Sequence, residues 1–300
     1  MSKTLRITSL LLATVFLLTA CGSQAQQPPS DLLAQIKQRG TLVVSTDPNY
    51  APQSSLNTSG KRPANTKCAS DQLTSAEMQG FDVDVAVELG KRLGVETCFA
   101  TPDWDVITAG NWADKWDISV GSMTITPERQ QILDFTEPYY FTPAVVAVLK
   151  DSSFQTLDDL AGKTICAGTS TTYESWINGN LDLPSENIYV KAPAGAVVFS
   201  LPTDQECAQG LVSGRKDFDA YSTSGTVVDA NVAAGLPVRK LGKTVFAENL
   251  AVAIDKKHSL PTATLLAELN KDIVAMHSDG TLSNLSQKWF QADLTQAPNK

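Results

Sequence analysis

Arg129 stands out because its neighbours in the chain call for a partner. It closes the run Thr126-Pro127-Glu128-Arg129, in which Thr126 is a helix-capping type, Pro127 suits a first helical position and Glu128 is an acid suited to a first turn. A cation in that turn opposes the helix dipole by about 0.3–1 kcal/mol, so an anion is expected beside it. A carboxylate held by both the guanidinium fork and free backbone N–H groups would serve. An ion pair with Glu128 or Asp134 is the structural alternative. Other chemistry is poorly supported. His258 and His277 both lie in the C-terminal segment and neither neighbours a Ser or Cys in a triad-like pattern. Two His and no C-x-x-C spacing argue against zinc. The acid pairs Asp82/Asp84 and Asp103/Asp105 read as ordinary exposed helix or turn carboxylates. No catalytic group, metal or cofactor is expected.

The elements that must position Arg129 alternate between strand and helix. Residues 41–45 (TLVVS) form a β-rich run that ends at the turn signal Asp47-Pro48-Asn49, and residues 53–76 are a polar insertion. Phe81, Val85, Leu89 and Leu93 recur every four residues as one helix face, with Gly94 as its stop. Residues 118–121 and 145–149 are further strands, and 158–167 reads as a turn of helix entering a strand. Leu266, Leu269, Ile273 and Met276 make a helical stripe closed by Asp279-Gly280, and Leu282, Leu285 and Trp289 begin another. This is an α/β chain, with parallel sheets expected.

With 300 residues, 42% of them apolar, the chain is long enough for two lobes with real cores. A net charge of −8 argues against a nucleic-acid partner, which would need a basic face. Lys3 and Arg6 precede the apolar run of residues 10–18, too short for a bilayer of about 30 Å and suited to a cleaved export signal over residues 1–20. Leu18-Thr19-Ala20-Cys21-Gly22 resembles the bacterial lipoprotein box, with Cys21 lipidated. Removing the signal leaves 22 basic and 32 acidic residues. The polar, Pro-containing stretch 22–30 reads as a flexible tether, and residues 21–39 together link the lipid to the domain. Cys68, Cys98, Cys166 and Cys207 remain, an even number in a compartment that permits disulfides.

Several motifs then occur in a telling order: Gly80-Phe81-Asp82-Val83-Asp84, Trp116-Asp117-Ile118, Thr124-Ile125-Thr126-Pro127-Glu128-Arg129 and Asp134-Phe135-Thr136-Glu137-Pro138-Tyr139-Tyr140. Leu160-Ala161-Gly162-Lys163, Gly168-Thr169-Ser170, Asp219-Ala220, Asp279-Gly280-Thr281-Leu282 and Lys288-Trp289-Phe290 follow. Together, over residues 40 to 290, the chain resembles the extracellular solute-binding proteins of family 3, receptors of polar amino acid ABC importers. The resemblance implies the type 2 periplasmic binding protein fold, two Rossmann-like α/β lobes joined by a two-strand hinge with a ligand cleft between them. Lobe I would hold residues 40–143 and 248–291, lobe II residues 144–247, and 292–300 would be a tail. It implies a monomeric lipoprotein that captures an amino acid or similar carboxylate and hands it to an ABC permease and its ATPase. A sensor for a membrane signalling protein, or a dehydratase-like enzyme on the same fold, are the alternatives. Proximity and these lobe boundaries favour Cys68–Cys98 and Cys166–Cys207 among the three possible pairings.

The resemblance also implies site roles. Arg129 matches the arginine that grips the ligand α-carboxylate, and Thr124 its assisting hydroxyl. Gly121 and Ser122 match the strand end that meets the ligand amine, and Thr169, Ser170 and Thr171 the loop that closes over the carboxylate. Thr171-x-x-Glu174 is also a capping-box pattern, so its hydroxyl is expected to serve its own helix. Tyr50 matches a residue stacking on the ligand side chain, Trp104 an apolar cleft wall, and Asp47 a position reaching a polar side chain. Phe81, Trp112, Trp116 and Trp289 are expected to pack. Two positions depart from the pattern. Gln53 stands where an aromatic is usual, and Ser224 stands where an Asp normally pairs with the α-ammonium. A hydroxyl supplies no counter-charge, so either Asp217, Asp219 or Asp229 takes over or the ligand is not a standard α-amino acid.

Overall fold

Asp31 accepts a hydrogen bond from the Ala34 N–H at 2.8 Å and so starts α1 (Leu32–Arg39), which Gly40 ends with a left-handed φ of 75°. The structure, a computed structural model, describes residues 28–297; the signal segment and Cys21 lie outside the described residues. The chain continues through β1 (Thr41–Ser45) and β2 (Asn49–Tyr50) into the polar insertion, which carries the short strands β3 (Ser54–Leu56) and β4 (Leu73–Thr74), and leaves it through β5 (Met78–Gln79). Then come α2 (Phe81–Leu93), β6 (Glu96–Ala100), α3 (Trp104–Thr108), β7 (Ile118–Thr124), α4 (Pro127–Gln130) and β8 (Leu133–Phe135). The long strand β9 (Tyr140–Leu149) leads to β10 (Thr164–Gly168), α5 (Thr172–Ile177), β11 (Val197–Leu201), α6 (Asp204–Val212), β12 (Ala220–Ser224) and α7 (Gly225–Ala233). The longer β13 (Val238–Asp255) returns, and α8 (Ala263–Ser278) and α9 (Thr281–Phe290) complete the fold.

The main sheet runs β11-β10-β12-β9-β13-β7-β1-β6-β4, with β8 paired to β13. Its two flanks are largely parallel: β1 lies parallel to β6 and β7, and β10 to β11 and β12. The middle is antiparallel, which corrects the expectation of parallel sheets. The reason is topological. β9 leaves one flank and β13 returns to it, so the two run against each other from Leu149 opposite Val238 to Tyr140 opposite Leu250, and each is antiparallel to its other neighbour. One apolar core lies among α1, α2, α8, α9 and the β1–β7 flank, around Phe81, Leu89, Leu269 and Ile273. Another joins β10, α5 and the far part of β9 around Trp176 and Phe246. The fold is thus two α/β units sharing two crossing strands, the type 2 periplasmic binding protein architecture. Cys68 bonds Cys98 and Cys166 bonds Cys207, with Cα separations of 5.4 and 5.6 Å; neither disulfide spans the two flanks. Among the described residues no helix is long and apolar enough to cross a membrane.

The motifs are wired to one another. Gly80 enters α2 at φ 136° with its Cα against the Gln53 backbone, leaving no room for a Cβ. Phe81 packs on Tyr140 at 4.8 Å and on Phe290 at 4.8 Å between ring centroids. Asp84 accepts from the Lys288 ammonium and the Trp289 indole N–H, both at 2.6 Å. Trp112 and Trp116 are buried against each other, centroids 5.4 Å apart, and Trp289 packs on the first core. Gly80→Ala should therefore cost about 1–3 kcal/mol, read as a lowered urea midpoint; an unchanged midpoint would contradict the close approach.

Candidate functional site

Thr126 caps α4 by accepting from the Arg129 N–H at 3.2 Å, with Pro127 opening the helix. Arg129 is thereby placed with its side chain in a cleft between the flanks, 8% exposed. Its guanidinium donates to the Thr124 carbonyl at 3.0 Å on its own side and to the Ser170 carbonyl at 2.9 Å on the other. Its carbon lies 5.6 Å from the Trp104 ring centroid. Among the described residues no carboxylate forms an ion pair with it: Asp134 pairs with Lys256, and Glu128 forms no salt bridge. Burial pushes its pKa down to about 10, against the attraction of Glu248 and Glu128. A guanidinium has five N–H donors, and the two carbonyls leave capacity for a bidentate anion.

The cleft also holds acids. Glu248 on β13, 2% exposed, accepts from Thr124 at 2.7 Å, from Tyr173 at 2.7 Å and from Thr172. Burial holds its pKa above the usual range despite those three hydroxyls and Arg129. Asp204, the first residue of α6 and 5% exposed, accepts from the Gly168 N–H at 3.0 Å and from the Thr223 hydroxyl at 2.5 Å. Burial pushes it up to about 7. Behind the wall, Asp82 accepts from Ser122 at 2.7 Å and Tyr139 at 2.8 Å and is also raised to about 7 by burial. The expectation that Asp82 is an exposed helix carboxylate is thus corrected: α2 turns it inward beneath β7, where it orients Ser122.

Of the residues singled out in the sequence, Asp47, Tyr50, Trp104, Gly121, Ser122, Thr124, Arg129 and Thr171 line this cleft. The roles of several side chains differ from the resemblance. Ser122 adopts a left-handed φ of 55°, its hydroxyl turned to Asp82 and Tyr140 and its N–H given to Tyr139 at 3.0 Å. The Thr124 hydroxyl faces Glu248, and it is the Thr124 carbonyl that meets Arg129. Thr171 is engaged with its own helix, accepting from Glu174 N–H at 3.2 Å and donating to the Gly168 carbonyl at 2.6 Å. Ser170, at φ 61°, reaches the site through its carbonyl, while Thr169 lines an adjoining cavity with Asp47 and Trp104. The Tyr50 hydroxyl meets Tyr173 at 3.0 Å.

Ser224 is not in the cleft. It is fully buried, caps α7 and shares hydrogen bonds with Thr142 and Thr226, each at 2.7 Å. A residue at a helix cap directs its oxygen to backbone N–H groups, which turns this one away from the cavity. The acids considered as its substitutes lie elsewhere too: Asp217 pairs with Arg215, Asp229 with Lys240, and Asp219 accepts from the Thr164 N–H. Sequence reasoning missed Asp204, Tyr173 and Glu248. Asp204 sits inside the capping box Thr203-x-x-Glu206, directly after its Thr, so it reads as a first-turn acid of α6. Glu248, with Asn249, interrupts the otherwise apolar run 245–254 of β13, and an acid at that place was the available signal.

The chain matches the family model of the bacterial extracellular solute-binding proteins, family 3, over residues 42–292. It is 31% identical over 270 residues to the L-cystine-binding protein TcyJ of Escherichia coli (strain K12), covering 88% of each chain. A solved ancestral amino acid-binding protein, AncCDT-1, described as a precursor of cyclohexadienyl dehydratase, is 30% identical with a TM-score of 0.68, covering 86% of this chain and 99% of that one. An ancestral arginine-binding protein bound to arginine is 29% identical with a TM-score of 0.67, covering 84% and 98%. The chain belongs to the family 3 extracellular solute-binding proteins.

The buried acids set a pH dependence. Asp82 and Asp204 rise from 3.8 to about 7 on folding, so between those values the folded chain holds protons that the unfolded chain has released. Their stabilising contribution is complete below about pH 4 and is lost as pH rises through about 7. Acids held low in the fold, such as Asp279 at about 2, act only below that window. Urea unfolding of the ligand-free protein should therefore show stability falling from about pH 5 to about pH 8, by up to ~5 kcal/mol for the two carboxyls together. Asp82→Asn should make the slope shallower. A stability that rises across this window would contradict the burial of these carboxyls.

Proposed function

We propose that this family member is the substrate-binding lipoprotein of an ABC importer, which captures an amino acid or related small carboxylate and presents it to a membrane permease driven by an ATPase. The observation that carries this reading is Arg129: a buried guanidinium in a cleft, bonded to carbonyls from both flanks and ion-paired with no carboxylate among the described residues. Its remaining donors suit a ligand carboxylate, held bidentate in a buried site. Residues 40–143 with 248–291 act as one lobe and 144–247 as the other, with β9 and β13 as the hinge. Arg129, Tyr50 and Gln53 on the first lobe each bond a residue of the second, namely Ser170, Tyr173 and Thr226, contacts suited to a closed state. Trp104 and Tyr50 flank the ligand side chain. The role is binding and release without chemistry, by a monomer.

Export and anchoring follow from residues 1–21, with Cys21 as the lipidated first residue of the mature chain, facing the periplasm or the cell exterior. Cys21→Ser should move the protein from the membrane fraction to the soluble one, and retention on membranes would reject the anchor. For the site, Arg129→Ala should weaken binding by about 2–5 kcal/mol, because a carboxylate would then be buried unpaired. Isothermal titration with L-cystine and L-arginine tests this. Binding by Arg129→Ala as tight as that of the unaltered protein would overturn the assignment.

A further inference from the structure

We infer that Asp204 is the counter-ion of the ligand's α-ammonium, a role displaced from position 224 to the start of α6. The inference rests on the reading that the cleft holds an amino acid. Asp204 and Arg129 line the same cavity, Arg129 from the β7–α4 side and Asp204 from the β11–α6 side. A zwitterion has the matching pattern of opposite charges. An acid in a first helical turn is favourable to the helix dipole, but an exposed carboxylate would serve that purpose equally. Asp204 is instead 5% exposed, and a buried carboxylate without a cation is costly. Each of its oxygens accepts one hydrogen bond, from the Gly168 N–H and the Thr223 hydroxyl. A carboxylate has about four acceptor sites, so the geometry leaves capacity for an ammonium, and among the described residues no Lys, Arg or His pairs with it.

The other acids of the cleft are placed differently. Glu248 carries three hydroxyl donors and faces Arg129 electrostatically. Asp47 is only half-buried, and its Oδ1 accepts from the N–H and side-chain amide of Asn49, so its charge does not call for a buried cation as that of Asp204 does. Two local features fit the displaced role. Gly168 leaves space for the carboxylate, since a Cβ there would lie 2.6 Å from Asp204 Oδ1. The vacated position is occupied otherwise, because Ser224 bonds Thr226, whose hydroxyl accepts from Gln53 Nε2 at 2.6 Å. Gln53 and Ser224, the two departures from the family pattern, therefore belong to one buried hydroxyl–amide chain that joins the flanks, and Ser224 is spent there.

The test compares each amino acid with its deamino counterpart by isothermal titration at fixed pH: L-arginine with 5-guanidinopentanoate, and L-cystine with 3,3′-dithiodipropionate. The unaltered protein should prefer the amino acid. Asp204→Asn should weaken amino acid binding about 10- to 100-fold, the range of a lost charge-assisted hydrogen bond, while the deamino compound, a carboxylate relieved of a like charge, binds at least as well as before, so that the preference collapses. Gly168→Ala, which displaces the carboxylate without removing it, should shrink the same preference and stands in if Asp204→Asn does not fold. Preference for the amine retained in both variants, while Arg129→Ala abolishes binding, would overturn this inference and leave the proposed function standing. An unaltered protein that binds none of the common amino acids, cystine or their deamino counterparts would overturn both.

Discussion

A guanidinium cannot be buried without partners, and this fold gives Arg129 partners from both flanks of the sheet. Desolvating a charge costs several kcal/mol unless hydrogen bonds and opposite charge replace water. Thr124 supplies one carbonyl from the same flank and Ser170 supplies the other from across the cleft. The Ser170 carbonyl reaches the guanidinium from a left-handed backbone conformation, φ 61°, that few non-glycine residues adopt. Ser122, at φ 55°, makes the matching turn on the Arg129 side. Such conformations cost on the order of 1–3 kcal/mol each and persist where the surroundings demand them. Both occur at the wall of the same cleft.

The acids complete that arrangement. Glu248 sits on β13, one of the two strands common to both flanks, and gathers hydroxyls from β7 and from α5. It balances Arg129 electrostatically without touching it, which leaves the guanidinium fork with unused donors. Asp82 performs a parallel service one layer back, holding Ser122 and Tyr139 in place from the first turn of α2. The side chains lining the cleft are thus positioned by buried polar networks, and these have to be satisfied throughout to be tolerated.

The crossing strands explain how such a site can open. β9 and β13 are hydrogen-bonded to each other along most of their length, so the flanks are joined by a two-strand ribbon beneath the cleft. Each flank has its own apolar core and its own disulfide, so bending the ribbon disrupts neither. The contacts across the cleft are single polar pairs, Arg129–Ser170, Tyr50–Tyr173 and Gln53–Thr226, each of which water can replace at modest cost.

Local pattern alone determined much of this protein. The four-residue spacing of Phe81, Val85, Leu89 and Leu93 with Gly94 after it marks α2, and Thr126-Pro127-Glu128 marks the turn that carries Arg129. These are properties of neighbouring residues, which sequence displays directly. The order of the motifs was enough for the family and for most of the cleft lining. What the sequence could not show was direction. Whether Asp82 points outward or into the core, and whether Ser224 faces the cleft or caps α7, depends on packing between segments tens of residues apart. The same holds for Asp204, which reads as a helix-start acid until β10 and β12 bring Gly168 and Thr223 against it. A carboxylate's environment is set by what folds around it, and that was decided only in the tertiary structure.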